Sequence, residues 1–231
     1  ATTVRRIEVV GSEPYVNGGH GMAGFWVDAN RQTTIPRLYA AGDIAGGVPK
    51  KYLTGCFAEA EIAVHHAATL PAAPVASVPA SQCAQLVRDL VAPLARPAGL
   101  SPYEIEERLQ KLMDEYAGGA SVFYESSAAK LAIATTLLEG VEQSLHRVGA
   151  GSWADLMDAN DMRDRITVAR VLVQHLQARR ETRWPCYQSR ADFPVRNDVE
   201  YRCFVNSVMT DGRIQCFARD LDPPFQSREL P

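Results

Sequence analysis

Hydrophobic positions follow three different patterns along the 231 residues. From residue 1 to about residue 70 the apolar runs are short: Arg5–Val10, Gly24–Asp28 and Leu38–Ala41. Glycine-rich turns at Gly18-Gly19-His20-Gly21 and Gly42-Asp43-Ile44-Ala45-Gly46-Gly47 divide them, so the runs predict strands. The breaker-free, alanine-rich stretch from about Gly55 to Thr69 predicts a helix. Prolines at 71, 74 and 79 among Ala, Val and Ser predict a linker over 71–80.

From 81 to 183 the period becomes helical. Leu86, Val87, Leu90, Val91 and Leu94 mark one stripe. A second helix starts at Ser101-Pro102-Tyr103-Glu104, where an N-cap serine, a proline at the first helical position and a glutamate make a capping box. Ile105, Leu109, Leu112, Met113 and Tyr116 line its face, and Gly118-Gly119 stops it. A third helix is expected from Ser126 or Ser127 with Leu131, Leu138 and Leu145 inward. A fourth is expected from about Asp164 to Arg180 with Ile166, Ala169, Leu172, Val173 and Leu176 inward. Four helices that each bury one face predict an antiparallel bundle. In the extension over 184–231, Trp184-Pro185-Cys186-Tyr187 forbids a continuing helix. Tyr201–Met209 and Arg213–Arg219 flank Asp211-Gly212, a hairpin signal that sets Cys216 opposite Ser207 rather than Cys203. The fold class is α+β.

Composition narrows the chemistry. A net charge of −3 gives no basic footprint for nucleic acid. No run reaches the roughly 20 apolar residues of a membrane span. Five widely spaced cysteines without a Cys-x-x-Cys pair argue against a disulfide scaffold and against a metal or cluster cage, so no metal site is expected. Asp155, Asp158 and Asp161 read as a solvated face. Arg179, Arg180 and Arg183 read as cations satisfying a helix end.

The informative segment is Thr33 to Asp43, which ends in Leu38-Tyr39-Ala40-Ala41-Gly42-Asp43. A strand delivering Gly-Asp to a crevice, with a helix following, resembles the second FAD-binding motif of flavoproteins. Gly42 would let backbone approach the cofactor, and Asp43 would offer a carboxylate to a ribityl hydroxyl. The helix opening near Gly55, Cys56 and Phe57 would aim backbone N–H groups at the negative charge of a reduced flavin. The plain alternative is an ordinary turn and helix start, with Cys56 a packing residue. His20, unshielded between glycines, is a candidate for holding an anionic substrate oxygen, although a lone histidine is more often satisfied locally.

In this order the motifs resemble the FAD flavoprotein subunits of the fumarate reductase, succinate dehydrogenase and adenylylsulfate reductase group. The adenylylsulfate reductase alpha-subunit branch is the nearest. Ser12-Glu13-Pro14-Tyr15, Met113-Asp114-Glu115-Tyr116-Ala117-Gly118-Gly119, Arg180-Glu181-Thr182-Arg183-Trp184-Pro185, Arg190-Ala191-Asp192-Phe193 and Cys203-Phe204-Val205-Asn206-Ser207 carry that likeness. The resemblance implies that residues 1–70 are the return segment of a Rossmann-like FAD-binding domain, followed by the linker, the helical domain and the C-terminal extension. It maps His20 to the substrate-site histidine. It sets Lys51 where the dicarboxylate enzymes carry a substrate-binding arginine and the sulfur enzymes a lysine, and that change loses a bidentate clamp. It implies FAD, a small anionic substrate of the adenylylsulfate or sulfite type, and an iron–sulfur partner subunit. A cytoplasmic site is implied, reaching the inner face of the membrane through a partner. No Gly-x-Gly-x-x-Gly follows an opening strand. The expectation is therefore a C-terminal portion that lacks its N-terminal FAD and capping half, is inactive alone and holds FAD weakly. The competing readings are a succinate or fumarate enzyme, and a helical docking module in which His20, Asp43 and Lys51 have no role.

Overall fold

The computed structural model describes residues 23–46, 52–72, 77–183, 188–221 and 227–228. The expected strand Arg5–Val10, the turn bearing His20, Lys51 and the break at Trp184–Tyr187 lie outside them. The chain divides into two compact units, 1–75 and 76–231.

In the first unit the expected strands Gly24–Asp28 and Leu38–Ala41 contract to single bridges. Phe25 pairs in parallel with Ala45, while Val27 pairs with Thr33 and Gln32 with Tyr39 in antiparallel fashion. The reason is local. Asp28 Oδ1 accepts from the N–H groups of Asn30 and Gln32 at 2.8 and 2.9 Å, which folds the chain back at once. A second reversal, Thr33–Arg37, follows before any ladder can extend, and Arg31 and Arg37 both take left-handed φ angles of 66° and 68°. Helix α1, Leu53–Thr69, starts two residues before the expected Gly55. It turns Glu59 and Ala63 inward. Among the described residues, Ala40 and Ala45, with Val27 against them, form a small apolar core here.

The second unit is built differently. Helix α2 spans Ala80–Val91, α3 Pro102–Tyr116, α4 Ala128–Ser144 and α5 Trp153–Ala178. The expected capping box on α3 is present: Ser101 Oγ accepts from the Tyr103 N–H at 3.2 Å and Glu104 accepts from the Ser101 N–H at 2.8 Å. Ile105, Leu131, Leu138, Ile166 and Val173 are at most 1% exposed and join α3, α4 and α5 in one core. Each such side chain contributes roughly 2 kcal/mol of burial.

Three expectations need correction. The bundle has three helices rather than four, because α3, α4 and α5 already cover each other's stripes. Helix α2 keeps none of its own residues buried, and Leu86 is 62% exposed. The carbonyls of Leu90 and Asp89 at its end accept from Asn160 at 3.2 Å and Arg163 at 3.3 Å, and Pro93, just beyond it, is buried. Helix α5 begins eleven residues before Asp164, since Ser152 caps it by accepting from the Asp155 N–H at 3.1 Å, and Leu156, Ala159 and Met162 extend the stripe. Leu172 is exposed, being six residues beyond Ile166 and off the i, i+3, i+7 ladder.

The extension returns to this bundle. Strands β1 (Glu125–Ser126) and β2 (Ser189–Arg190) pair in parallel. A short helix α6 (Asp198–Tyr201) leads into β3 (Cys203–Thr210) and β4 (Arg213–Asp220), the expected hairpin, with β5 (Ser227–Arg228) on its other edge. Cys216 lies opposite Ser207, as the turn length requires. Asp211 and Gly212 carry φ angles of 49° and 74°, the left-handed pair of a two-residue turn.

Candidate functional site

Gly42 begins a 3₁₀ turn, Gly42–Ile44, that packs on α1. It is buried with φ 74°, and a Cβ there would meet Cys56 Sγ at 2.8 Å. Glycine is therefore required twice, for the angle and for the approach. Gly24 is similarly placed: a Cβ there would meet the backbone of Ile44, Ala45 and Gly46 at 2.6 Å. Hydrogen bonds from Phe25 N–H to the Ile44 carbonyl and from Gly46 N–H to the Phe25 carbonyl, both 2.8 Å, hold this close approach. Of the sequence candidates, Gly42, Asp43, Gly55, Cys56 and Phe57 thus fall on two adjoining features, the turn and the first turn of α1. Asp43 is exposed, Gly55 and Cys56 are half-buried, and Phe57 is 65% exposed. His20 and Lys51 lie outside the described residues, so their geometry adds nothing here.

The residues present fit a flavin in three respects. Gly42 carries no side chain of its own, so the turn can seat closely on the start of α1 against Cys56. Tyr52 gives helix α1 no side-chain cap and the first turn carries no acid, so no carboxylate of that turn offsets its positive end. Apolar side chains suited to an isoalloxazine, Ile44, Leu53 and Phe57, stand exposed on the two elements.

Polar contacts of five residues hold this arrangement, and none of these pairings could be read from the sequence. Arg31 forms an ion pair with the buried Glu59 on α1. Tyr39 OH and His66 Nδ1 lie 2.8 Å apart, and Arg37 donates to the Pro71 carbonyl at 2.6 Å. A legible signal existed for Glu59, a carboxylate on the small-residue face with Ala63, whose burial demands a cation. Nothing in the spacing names its partner. His65 is exposed and lies 3.6 Å from Glu61, while His66 turns the other way to Tyr39. Among the described residues no group of three metal-ligating side chains comes together.

The signature in the extension is a clamp. Glu181 has no exposed side-chain surface and accepts from Arg179 at 2.6 Å, Arg183 at 2.7 and 2.9 Å, and the Asn197 N–H at 2.9 Å. Burial alone would raise its carboxyl, but the Arg183, Asn197 and Arg179 hydrogen bonds outweigh that and hold it below its ordinary range. Arg179 and Arg183 reach the Tyr201 carbonyl, and Arg179 also the Cys203 carbonyl, rather than the end of α5. That end is met by Arg190, which donates to the Leu176 and Arg179 carbonyls. This corrects the expectation for Arg179 and Arg183. Arg190 also grips Asp192, whose Oδ2 accepts from the Ala128 N–H at 2.8 Å at the start of α4.

Residues 106–222 match the family model described as fumarate reductase flavoprotein C-term. The alpha subunit of adenylylsulfate reductase from Megalodesulfovibrio gigas is 26% identical over 88% of this chain and 36% of its own length. The solved adenylylsulfate reductase of Archaeoglobus fulgidus aligns at 30% identity and a TM-score of 0.71, over 87% of this chain and 32% of that one. The quinol fumarate reductase of E. coli shares the fold, with a TM-score of 0.66 at 19% identity over 90% of this chain and 35% of that one. The chain therefore spans about a third of the length of the relatives it matches. Among the described residues no helix is long and apolar enough to cross a membrane.

Proposed function

Because this chain belongs to the family of fumarate reductase flavoprotein C-terminal regions, we propose that it completes the flavin site of a longer FAD-dependent oxidoreductase. The observation that carries the reading is the junction of the Gly42–Ile44 turn with the uncapped start of α1. When bound, FAD would supply two-electron chemistry toward a small anionic substrate of the adenylylsulfate or sulfite type and an iron–sulfur partner subunit. Gly42 would let the turn seat closely on α1, and Asp43 would offer a carboxylate to a ribityl hydroxyl. The first-turn amides of α1 would stabilise negative charge on the bound group. His20 and Lys51 would hold the anionic substrate, and a lysine favours a compact oxyanion over a forked dicarboxylate.

The reading assigns residues 1–70 to the FAD domain, 71–80 to a linker, 81–183 to the helical domain and 184–231 to the extension. Residues 1–231 alone lack a pyrophosphate-binding glycine motif, so they should bind FAD weakly and turn over nothing. The test is to assay the longer gene product carrying this chain for AMP-dependent sulfite oxidation and for succinate oxidation, each before and after Lys51→Ala. Sulfite activity that falls at least about 100-fold in the variant, the size of a lost charged anchor, supports the assignment. Succinate activity in its place would move the protein to the dicarboxylate branch.

A further inference from the structure

Among the described residues of unit one the apolar core between turn and helix is small: Ala40 and Ala45 with Val27 against them, and Ala63 buried on α1. Something more must set the distance between the two. Helix α1 presents Cys56, Glu59, Ala63 and His66 along one stripe, at i, i+3, i+7 and i+10. Each polar or sulfur position on it meets a residue from the preceding loops: Cys56 meets Gly42, Glu59 meets Arg31, and His66 meets Tyr39.

From this stripe we infer that Glu59 is a positioning residue of the flavin crevice, locking the segment that carries Gly42 and Asp43 onto α1 through Arg31. The inference rests on the flavin reading above. Glu59 is 7% exposed and is the one buried charged side chain among the described residues of this unit. Its partner Arg31 sits at φ 66°. A non-glycine residue holds that angle at a cost of roughly 1 kcal/mol, and only where its surroundings over-determine it. The surroundings are on hand. The Arg31 guanidinium donates to the Asp28 carbonyl at 3.2 Å, and its own carbonyl accepts from the Ala40 N–H at 3.0 Å. Ala40 stands two residues before Gly42. A force on the Glu59 carboxylate therefore passes through one side chain and one backbone hydrogen bond to the turn. Cys56, three residues before Glu59 on the same helix face, receives that turn from the other side.

Replacing Glu59 by glutamine keeps the shape but leaves the Arg31 cation without its counter-charge. Arg31 then relaxes from its left-handed angle, the Ala40 hydrogen bond loosens, and the turn drifts from the start of α1. The helix amides point less well at the ring edge, so the reduced flavin loses stabilisation more than the oxidised form.

The experiment uses the longer flavoprotein with Glu59→Gln and Glu59→Asp. It reads FAD affinity, the flavin midpoint potential and hydrogen exchange at the Ala40 amide. The expected result for Glu59→Gln is about tenfold weaker FAD binding, or 1.4 kcal/mol, a more negative potential and faster Ala40 exchange. Glu59→Asp, which keeps the charge, should fall between it and the native protein. Faster exchange with unchanged affinity and potential would overturn the inference, since Glu59 would then only hold the loop together. If the native longer protein takes up no flavin, the functional reading itself fails before any variant is compared, and the inference falls with it.

Discussion

The two units solve the same problem, holding a chain in place, by opposite means. Unit two buries a continuous stripe from each of α3, α4 and α5, and then closes its polar groups on one another around Glu181 and Arg190. The described residues of unit one bury little, pin their loops to α1 by isolated polar contacts, and leave Phe25, Ile44, Leu53 and Phe57 exposed. The difference lies in what holds each part: burial and a closed clamp in unit two, isolated polar contacts in the described part of unit one. On the proposed reading, a flavin would cover Ile44, Leu53 and Phe57 beside the start of α1.

Variants can break this contrast. The largest effect is expected at the clamp. Glu181→Ala leaves two guanidinium groups without their shared carboxylate and should destabilise unit two by about 3–5 kcal/mol, read by urea unfolding. Leu138→Ala in the core should cost about 2–5 kcal/mol in the same assay. Gly42→Ala should be different in kind. It strains a left-handed position and drives a methyl against Cys56, so flavin affinity in the longer protein should collapse while the unfolding midpoint of unit two stays unchanged. Were Gly42→Ala to unfold both units together, the independence drawn here would be wrong.

Acid should act on unit two through two kinds of group. His175 Nε2 lies 2.9 Å from Ser207 Oγ, joining α5 to β3, and burial, with Arg179 nearby, pushes its imidazole below the usual value of 6.5. The folded state thus favours the neutral ring. Its contribution is complete above pH about 6.5 and is lost as the pH falls from there through the lower folded value. Amide exchange of the hairpin should accelerate over that range, and His175→Gln should flatten the response. Glu181 and Asp192, both held below their ordinary ranges, should lose their contributions only at lower pH, below the unfolded carboxylate values of about 4. The smallest effect should come from Leu86→Gln on α2, within about 0.5 kcal/mol, because its stripe is already in water.

Much of the second unit was legible because its signals are local. The Ser101–Glu104 capping box, the Asp211-Gly212 turn and the opposition of Cys216 to Ser207 each depend on residues a few positions apart. Ser152 and Asp155 offered the same type of start signal for α5, and reading it would have placed the helix correctly. The α2 stripe misled because periodicity says that a face is apolar, and says nothing of whether neighbours have room for it. Arg190 was invisible as a helix cap because it reaches back across the chain to Leu176 and Arg179. In unit one, Gly42 and the start of α1 could be read as a motif, whereas the contact of Arg31 with Glu59 spans loops whose reversals no pattern encodes.

The most direct test of the account is the visible absorbance and FAD titration of the longer gene product, run beside residues 1–231 alone. The account predicts a yellow longer protein with tight, saturable FAD binding and a colourless chain that binds it weakly. Failure of both to take up flavin would contradict it, leaving the Gly42 turn and the first turn of α1 as structure without a cofactor to serve.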